Sequence, residues 1–342
     1  MKEVTFTKVK SKKIVVFAPR FIGDAVNTSY ALQILLAAYP DATMTLLARE
    51  PFGAIAPRLG CSGFIVDPRK TLGLFVGIKS LIRDLKAGQF DIAVLFTNTF
   101  ADAAIARMAG IPVRAGYATE ARGPLLTHPL KHNPHRHYIN RYAYIANALC
   151  ETPLELLPDS GLKTEPFSLP ASPKTVTLAV YFGCEIKGPR YYPMADTAEL
   201  LKRLAKHHSV RFVAIGANFE FDSAEQLSLS LGDAVAFDNL CGKTSLVQMI
   251  DVIAACDGLI TIDSAPLHIA SALKKPLVVL ESQGFSAFSS IQPKSPYAWV
   301  ASSRWRYIKD EDQVKDIPIE RIESAVAKMI AHLCSPQNSA EP

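Results

Sequence analysis

The stretch KIVVFAPRFIGDAVNTSYALQILLAAYPDATMTLLA, residues 13–48, decides the fold. It begins with an apolar run rich in β-branched residues (13–18), continues with a helix-length segment (25–39) and ends with a second apolar run (43–48). Short runs of this kind are typical of strands buried on both faces of a sheet. A strand, a helix and a second strand in this order predict a βαβ unit with parallel strands.

The same alternation continues along the chain. In the first half we expect strands at 64–67 and 91–96 around a helix at 76–88. A stretch with repeated Pro and Ser and no sustained period, 153–173, is the best linker candidate. The second half is predicted to contain strands at 175–182, 210–216, 234–237, 258–262 and 276–280 and helices at 194–207, 221–231, 245–256 and 266–273. A helix at 318–333 ends the pattern, which predicts two consecutive doubly wound α/β domains.

The length and composition agree with two domains. At 342 residues, 49% of them hydrophobic, the chain exceeds what one hydrophobic core usually supports. We place the first domain at 1–160, a linker at 161–175, the second domain at 176–317, and a C-terminal helix and tail at 318–342.

The cysteines and the apolar runs indicate the type of cellular compartment in which the chain is expected. The six cysteines lie far apart with no CxxC or Cys/His ligand spacing, which argues against both a disulfide framework and a zinc site. The apolar run at 14–18 is too short for a signal sequence, and no apolar stretch reaches the roughly 20 residues that span a bilayer. A reducing compartment is expected.

The net charge of +5 is concentrated in residues 101–150. This segment contains Arg107, Arg114, Arg122, Lys131, Arg136 and Arg141 against Asp102 and Glu120. It is either a surface for an anionic partner or a solvated basic loop. Nucleic acid is not the expected partner, because stacking aromatic residues are not interleaved with these cations. Four histidines in THPLKHNPHRH, residues 127–137, are interrupted by prolines, which disfavours a metal site.

Loops that follow the strands are where chemistry is expected, because open parallel sheets bind ligands outside the carboxyl ends of their strands. In APRFIGDAVN, after the first strand, Gly23 permits a tight turn and Asp24 lies at or just before the first helical turn. Asp24 is either a helix N-cap or a general base for a substrate hydroxyl. A G-x-G-x-x-G fingerprint is absent here and elsewhere, which weakens an NAD-dependent oxidoreductase as an alternative.

Two loops of the second half combine polar side chains with the start of a helix. In YFGCEIKGPRYYP, residues 181–193, Lys187 and Arg190 are either solvated cations or part of a phosphate site. In TIDSAPLHIASA, residues 261–272, Asp263 follows a strand and His268 lies within the first helical turn after it. They are either satisfied structural groups or, with the serine between them, an anion and hydroxyl site.

A third loop, CGKTSL (241–246), only superficially resembles a phosphate-binding loop. The Walker A motif needs a glycine where Phe237 stands, so an ATPase is not expected. Thr244 or Ser245 is predicted to cap the helix that follows.

Four ordered stretches resemble a known family. RFIGDAVNTSYALQILLAAYPDATMTLLA and NLCGKTSLVQMIDVIAACDGLITIDSAPLHIASALKKPLVVL resemble the two signature regions of glycosyltransferase family nine, the ADP-heptose:lipopolysaccharide heptosyltransferases. AGIPVRAGYATEARGPLLT and KGPRYYPMADTAELLKRL are similar to the members that add the second heptose. The resemblance covers residues 12–281, and it implies a GT-B fold. Such a fold has two Rossmann-like doubly wound domains facing a cleft, with the acceptor site in the first and the nucleotide-sugar site in the second.

The resemblance also implies residue roles. Asp24 corresponds to the family's catalytic base, Arg190 replaces a phosphate-contacting lysine, and Ala265 stands where glycine is usual in the turn that contacts the donor pyrophosphate. The ribose-binding acid falls near Glu220 or Asp222. The implied donor-binding residues are Glu185, Lys187, Arg190, Glu220, Thr244, Asp263, Ser264, Ala265 and His268. The implied acceptor-binding residues are Arg20, Arg114, Arg122, Arg136 and Arg141.

The activity implied by the resemblance is an inverting transfer of heptose from ADP-heptose to a hydroxyl of the lipid-linked lipopolysaccharide inner core, with no metal and no cofactor. It further implies a cytoplasmic enzyme in peripheral contact with the cytoplasmic face of the inner membrane. A transferase of the same family that uses another nucleotide sugar or glycan acceptor is the nearest alternative. A non-catalytic scaffold is the more distant one.

Overall fold

The structure is a computed structural model that describes residues 12–170, 175–183, 190–281, 288–303 and 313–335. The chain divides into two compact units, Met1–Lys163 and Thr164–Pro342. Each unit is built on one six-stranded sheet, and every strand pair among the described residues is parallel.

The first unit has the strand order β3-β2-β1-β4-β5-β6. Its strands are β1 (Lys13–Phe17), β2 (Thr43–Ala48), β3 (Gly63–Val66), β4 (Ile92–Leu95), β5 (Val113–Tyr117) and β6 (His128–Leu130). Its helices are α1 (Ile22–Asn27), α2 (Ser29–Ala38), α3 (Leu74–Gly88), α4 (Phe100–Met108) and α5 (Tyr138–Asn147). The order reverses between β1 and β4, so the crevice for a ligand opens beyond the carboxyl ends of these two strands.

The second unit repeats this topology with the order β12-β11-β10-β7-β8-β9. Its strands are β7 (Val176–Tyr181), β8 (Val210–Ala214), β9 (Ala236–Asn239), β10 (Gly258–Ile262), β11 (Leu277–Glu281) and β12 (Ala298–Ser302). Its helices are α6 (Met194–His207), α7 (Phe221–Leu231), α8 (Leu246–Ala255), α9 (Ala265–Ala272), α10 (Phe288–Ile291) and α11 (Ile319–Leu333). The switch point lies between β7 and β10, and α11 packs on β11, β12 and α6 of the same unit.

The central strands form the cores. All of β10 is buried, as are the four residues of β1 after Lys13, because helices cover both faces of each sheet. Strands in this position read as continuous apolar runs. The predicted α/β class with two doubly wound, Rossmann-like units is confirmed.

The long helix expected at 25–39 is divided in two. It starts three residues earlier, at Ile22, and is interrupted at Thr28, whose hydroxyl donates to the carbonyl of Ala25 at 2.6 Å. A threonine hydroxyl bonded back to the preceding turn competes with the regular helix ladder. The earlier start places Asp24 in the first turn of α1.

The basic segment at 101–150 is not a loop: it contains most of α4 and all of β5, β6 and α5. Periodicity did not reveal β5 (VRAGY), because an arginine and a glycine break its apolar run. It did not reveal β6 (HPL) either, which tolerates its proline because it is an edge strand. None of the helices within the described residues is long and apolar enough to cross a membrane.

Candidate active site

Asp24 lies at the carboxyl edge of β1, beside the switch point of the first sheet. It is the third residue of α1 and is half-buried. The N-cap is Phe21, in extended conformation and without a side-chain cap, so Asp24 is not the N-cap. Its carboxylate accepts a hydrogen bond from the hydroxyl of Tyr142 in α5. Arg20 is exposed in the same loop, with its guanidinium 5.7 Å from the centre of the Phe21 ring.

Tyr142 is a fixed neighbour of Asp24. Its ring packs edge-on against Phe96, which directly follows β4, with 5.1 Å between the ring centres. Burial, followed by the negative charge of Asp24, raises the pKa of the Tyr142 hydroxyl well above its usual value. The phenol therefore stays neutral and donates to the carboxylate. The sequence pattern did not predict this residue, since its helix was not identified.

Arg114 and Arg122 are buried and hold loops together. Arg114 donates from Nε to the carbonyl of Leu125 at 2.7 Å. Arg122 is 0% exposed and donates to the carbonyls of Tyr117, at 2.6 Å, and Thr99, at 3.2 Å. Burial lowers the pKa of both guanidinium groups. These hydrogen bonds give both arginines a structural role that needs no bound substrate, so neither is counted among the residues that contact the sugar acceptor.

Near the start of α5, Arg136 and Arg141 each stack on the ring of a tyrosine. The guanidinium of Arg136 lies 3.9 Å from the ring centre of Tyr144, and that of Arg141 lies 4.3 Å from the ring centre of Tyr138. Arg136 also bonds to the hydroxyl of Tyr117. Both arginines are half-buried, and Nη1 of Arg136 is buried with no hydrogen-bond partner among the described residues. Arg141 also donates from Nε to the carbonyl of Arg136 at 2.7 Å and from Nη2 to the carbonyl of Pro134 at 2.5 Å. Unlike Arg114 and Arg122, Arg136 and Arg141 stay partly exposed, so they present two oriented cations.

Three of the four histidines in residues 127–137 have separate local roles. Nδ1 of His128 lies 3.0 Å from the hydroxyl of Thr127, and the ring of His132 packs edge-on against Tyr117 at 4.9 Å. His137 is the N-cap of α5 and accepts from the backbone of Ile139. Among the described residues, three or more His, Cys, Asp or Glu side chains do not come together in a group that could hold a metal.

In the second unit, Asp263 and Arg190 lie on either side of the switch point. Asp263 directly follows β10, and Arg190 comes from the connection after β7. Burial raises the pKa of Asp263, and the positive charge of Arg190 opposes this rise. The two predicted donor residues are thus close enough to interact. Glu185 and Lys187, also predicted to bind the donor, lie outside the described residues.

The helix after Asp263 has an uncapped N-terminus. Ser264 is the N-cap of α9, but its hydroxyl makes no capping hydrogen bond, and Pro266 occupies the first turn. Ala265 and His268 are half-buried in the same turn. The hydroxyl and the first N–H groups of α9 therefore form a positively polarised end that suits an anion.

Glu281 lies next to Asp263 at the carboxyl edge of the second sheet, and it was not identified as a site residue from the sequence. It ends β11, which pairs with β10 so that Ile262 lies opposite Leu280; Asp263 and Glu281 therefore come next along the same edge. Glu281 is buried, and burial together with the charge of Asp263 raises its pKa to about 7. The sequence did contain a pattern that indicates this residue. In LVVLE a carboxylate stands at the end of an apolar strand, just as Asp263 stands directly after the apolar strand GLITI.

A cavity of about 380 Å³ opens beside this edge, between the ends of β7 and β8 and helices α6 and α7. Its lining includes five aromatic residues: Tyr181, Phe182, Tyr191, Tyr192 and Phe219. Thr197 also lines it, and its Oγ1 is buried without a partner among the described residues. An aromatic wall with a few polar groups is typical of a small-molecule site.

Glu220 belongs to the wall of this cavity. It is buried, and its two carboxylate oxygens accept hydrogen bonds from the hydroxyl of Tyr181 at 2.9 Å and the backbone N–H of Ala217 at 2.8 Å. Asp222, the other candidate for binding ribose, is exposed in the first turn of α7.

Thr244 lies in a tightly packed loop before α8. Ser245, rather than Thr244, caps α8 by accepting from the backbone of Gln248 at 3.3 Å, which leaves the half-buried Thr244 hydroxyl outside the cap. Gly242 has a φ of +67°, and a Cβ there would come within 2.8 Å of Asn218 Cα. The loops after β8 and β9 therefore touch through their backbones.

The chain is similar to known proteins in both sequence and structure. The sequence model of glycosyltransferase family 9 (heptosyltransferase) matches residues 78–284. Lipopolysaccharide heptosyltransferase 2 of Salmonella typhimurium strain LT2 is 28% identical over 297 residues, which cover 78% of this chain and 82% of that protein. The solved structure of Escherichia coli ADP-heptose LPS heptosyltransferase II has a TM-score of 0.77 at 23% identity, covering 94% and 99% of the two chains. That of E. coli heptosyltransferase WaaC with ADP-2-deoxy-2-fluoro heptose has a TM-score of 0.75 at 15% identity, covering 92% and 99%.

Proposed function

The chain belongs to glycosyltransferase family 9, the heptosyltransferases, and we propose that it transfers heptose from ADP-heptose to a hydroxyl of the lipopolysaccharide inner core, with inversion and without a metal. Two relatives, each 28% identical over 297 residues, bear the name lipopolysaccharide heptosyltransferase 2, which supports this donor and acceptor. The observation that carries the proposal is the arrangement at the β7/β10 switch point: Arg190 beside Asp263 and the uncapped start of α9.

The donor pyrophosphate is proposed to bind at this switch point. Arg190 supplies a planar guanidinium, and the start of α9 supplies backbone N–H groups and the Ser264 hydroxyl. His268, in the first turn of α9, faces the same ligand in this proposal. These groups stabilise the negative charge that develops on the leaving ADP, a task that a divalent cation performs in other transferases.

The nucleoside of the donor is proposed to occupy the cavity between α6 and α7. Its volume of about 380 Å³ and its aromatic wall suit a purine ring. Cys241, three residues before Thr244, lines the same cavity, which agrees with a role for Thr244 near the base. The Glu220 oxygens each accept one hydrogen bond, and a carboxylate can accept more, so a ribose hydroxyl can still donate to it.

The acceptor is proposed to bind to the first unit. Arg20, Arg136 and Arg141 remain at least partly exposed there, and the stacked guanidinium groups of the latter two are oriented for carboxylate or phosphate oxygens. The inner core of lipopolysaccharide carries such anions. Because this acceptor is lipid-linked, we also propose a cytoplasmic enzyme in peripheral contact with the inner membrane.

Asp24 is proposed as the general base. It removes the proton from the acceptor hydroxyl while that oxygen attacks the anomeric carbon of heptose from the face opposite ADP. The new glycosidic bond forms as the bond to ADP breaks, so the configuration at that carbon inverts. The hydrogen bond from Tyr142 orients the carboxylate during this step.

The test is to incubate the purified chain with ADP-heptose and a heptose-deficient core acceptor and to read the products by mass spectrometry. A mass increase of one heptose on the acceptor is expected. A panel of other nucleotide sugars separates this proposal from a family member with another donor. Transfer of another sugar in preference to heptose would reject the proposed donor.

A further inference from the structure

Residues 70–76 of the first unit, KTLGLFV, form an exposed segment that we call the apolar turn. The exposed fractions are 52% for Leu72, 58% for Leu74, 82% for Phe75 and 60% for Val76. Isolated exposed apolar residues are ordinary, but four within five positions form a contiguous patch, and such patches mark interaction sites.

Packing on both sides holds the apolar turn in place. Two of its N–H groups donate to the carbonyl of Pro68 at 3.1 and 2.9 Å, and Gly73 adopts a φ of +79°. The preceding Arg69 pairs with the buried Asp102 at 2.7 Å. A Cβ on Gly77 would come within 2.6 Å of Arg69 Cα, so the start of α3 packs directly on that backbone. The apolar side chains are exposed by a defined structure.

Exposed basic residues lie before and after the apolar side chains of this turn. Between residues 70 and 88 the chain has four cations against one anion, Asp84, which gives a net charge of +3. The cations are Lys70, Lys79, Arg83 and Lys86, and all four are exposed. Lys79 and Arg83 lie three and seven positions after Val76 and therefore on the same face of α3.

We propose that the apolar turn inserts into the surface of an anionic lipid bilayer while these cations contact its headgroups. An exposed apolar segment with lysines before and after it suits lipid better than protein, because lysine is depleted from protein interfaces and attracted to anionic lipids. The turn follows β3 and so lies at the carboxyl edge of the first sheet, as Asp24 does. The inference rests on the proposed function, because a lipid-linked acceptor has to be reached at a membrane.

The experiment is flotation of the full chain with vesicles of phosphatidylcholine and with vesicles of equal parts phosphatidylcholine and phosphatidylglycerol. The chain should float with the anionic vesicles and much less with the neutral ones. The double substitution Leu74→Ser/Phe75→Ser should lower binding about tenfold or more, because both side chains lose the burial they gain in lipid. The matched control is Leu229→Ser in α7, whose side chain is also 82% exposed.

Three results would contradict the proposed membrane contact. Unchanged flotation of the double variant overturns the proposal, as does an equal loss in Leu229→Ser. If the double substitution instead dissociates a dimer in sedimentation experiments and leaves flotation intact, the turn is a protein interface and the proposal fails.

Turnover of a deacylated, water-soluble acceptor separates this inference from the proposed function. The double variant should keep that turnover while it loses vesicle binding. A wild-type chain that floats with anionic vesicles but transfers no sugar would reject the proposed function and keep the membrane contact.

Discussion

The hydroxyl of Tyr142 donates a hydrogen bond to the carboxylate of Asp24, which joins α5 to the first turn of α1 at the edge of the first sheet. The phenol ring is in turn held against Phe96 at the end of β4. Two strands and two helices therefore fix one carboxylate in a half-buried position beside the switch point. A catalytic base needs this kind of orientation.

Replacing Asp24 with asparagine should lower kcat about 10²–10⁴-fold, because the amide keeps the shape of the side chain but cannot accept the proton. Binding of ADP, measured by calorimetry, should be close to that of the wild type, since Asp24 is proposed to contact the acceptor. Retention of more than about a tenth of the activity would exclude the base role.

Tyr142→Phe should lower kcat about tenfold, since a hydrogen bond to a charged group contributes about 1.5–3 kcal/mol. The acidic limb of the pH–rate profile should move to higher pH, because the charged carboxylate loses a donor that stabilises it. The control is Tyr297→Phe, which removes a hydroxyl in the second unit. A loss of activity with no movement of the profile would mean that Tyr142 only supports the fold.

Glu281 should make the stability of the chain depend on pH. Its pKa is raised from the usual 4.5 to about 7, so the folded chain keeps a proton that the unfolded chain releases. The free energy of unfolding should therefore fall by about 1–3 kcal/mol as the pH rises through this window. Urea denaturation at the two ends of the window measures the fall, and Glu281→Gln should remove most of it. An equal fall in the variant would assign it to other groups.

Arg122→Met and Arg136→Met form a matched pair that separates structure from binding. The first should lower the free energy of unfolding by about 2–4 kcal/mol, because it leaves the buried carbonyl of Tyr117 and the partly buried carbonyl of Thr99 without their donor. The second should change stability by less than about 1 kcal/mol and raise the acceptor KM about tenfold. Thermal denaturation and steady-state kinetics distinguish the two. A stable Arg122→Met variant with a raised acceptor KM would restore Arg122 to the acceptor site.

Ala265→Gly tests the turn at the start of α9. Without the Cβ, the backbone can approach a phosphate more closely, so ADP should bind about threefold more tightly. Ala272→Gly, at the other end of the same helix, controls for the loss of helix stability, about 0.5–1 kcal/mol in each case. Equal or weaker ADP binding in Ala265→Gly relative to this control would count against a pyrophosphate contact.

Much of the fold could be predicted because its central strands are buried on both faces. β2 and β10 and helices α6 and α7 have the bounds that periodicity predicted. The strand ends also identified where Asp24, Arg190 and Asp263 lie, since carboxyl ends of parallel strands share an edge. Peripheral strands were missed, because β5 and β6 are short and carry residues that interrupt an apolar run.

The side-chain partners could not be predicted in the same way. A basic segment indicates anion binding as readily as structural arginines, and only burial separates Arg122 from Arg136. The bond between Tyr142 and Asp24 joins residues far apart in sequence, which a local pattern does not encode. Glu281 could have been predicted from the pattern that identified Asp263, because it is also a carboxylate at the end of a buried strand.

The close packing of Gly77 against Arg69 orders the apolar turn, and substitutions at position 75 can measure the consequence for membrane binding. Because a glycine fits directly against Arg69, the turn is already ordered before it meets a lipid, and insertion costs little additional conformational entropy. Vesicle affinity should then follow the apolar area at position 75, rising steadily from alanine through leucine and phenylalanine to tryptophan. The dependence of vesicle affinity on the side chain at position 75 therefore reports how deeply this edge of the protein enters the bilayer.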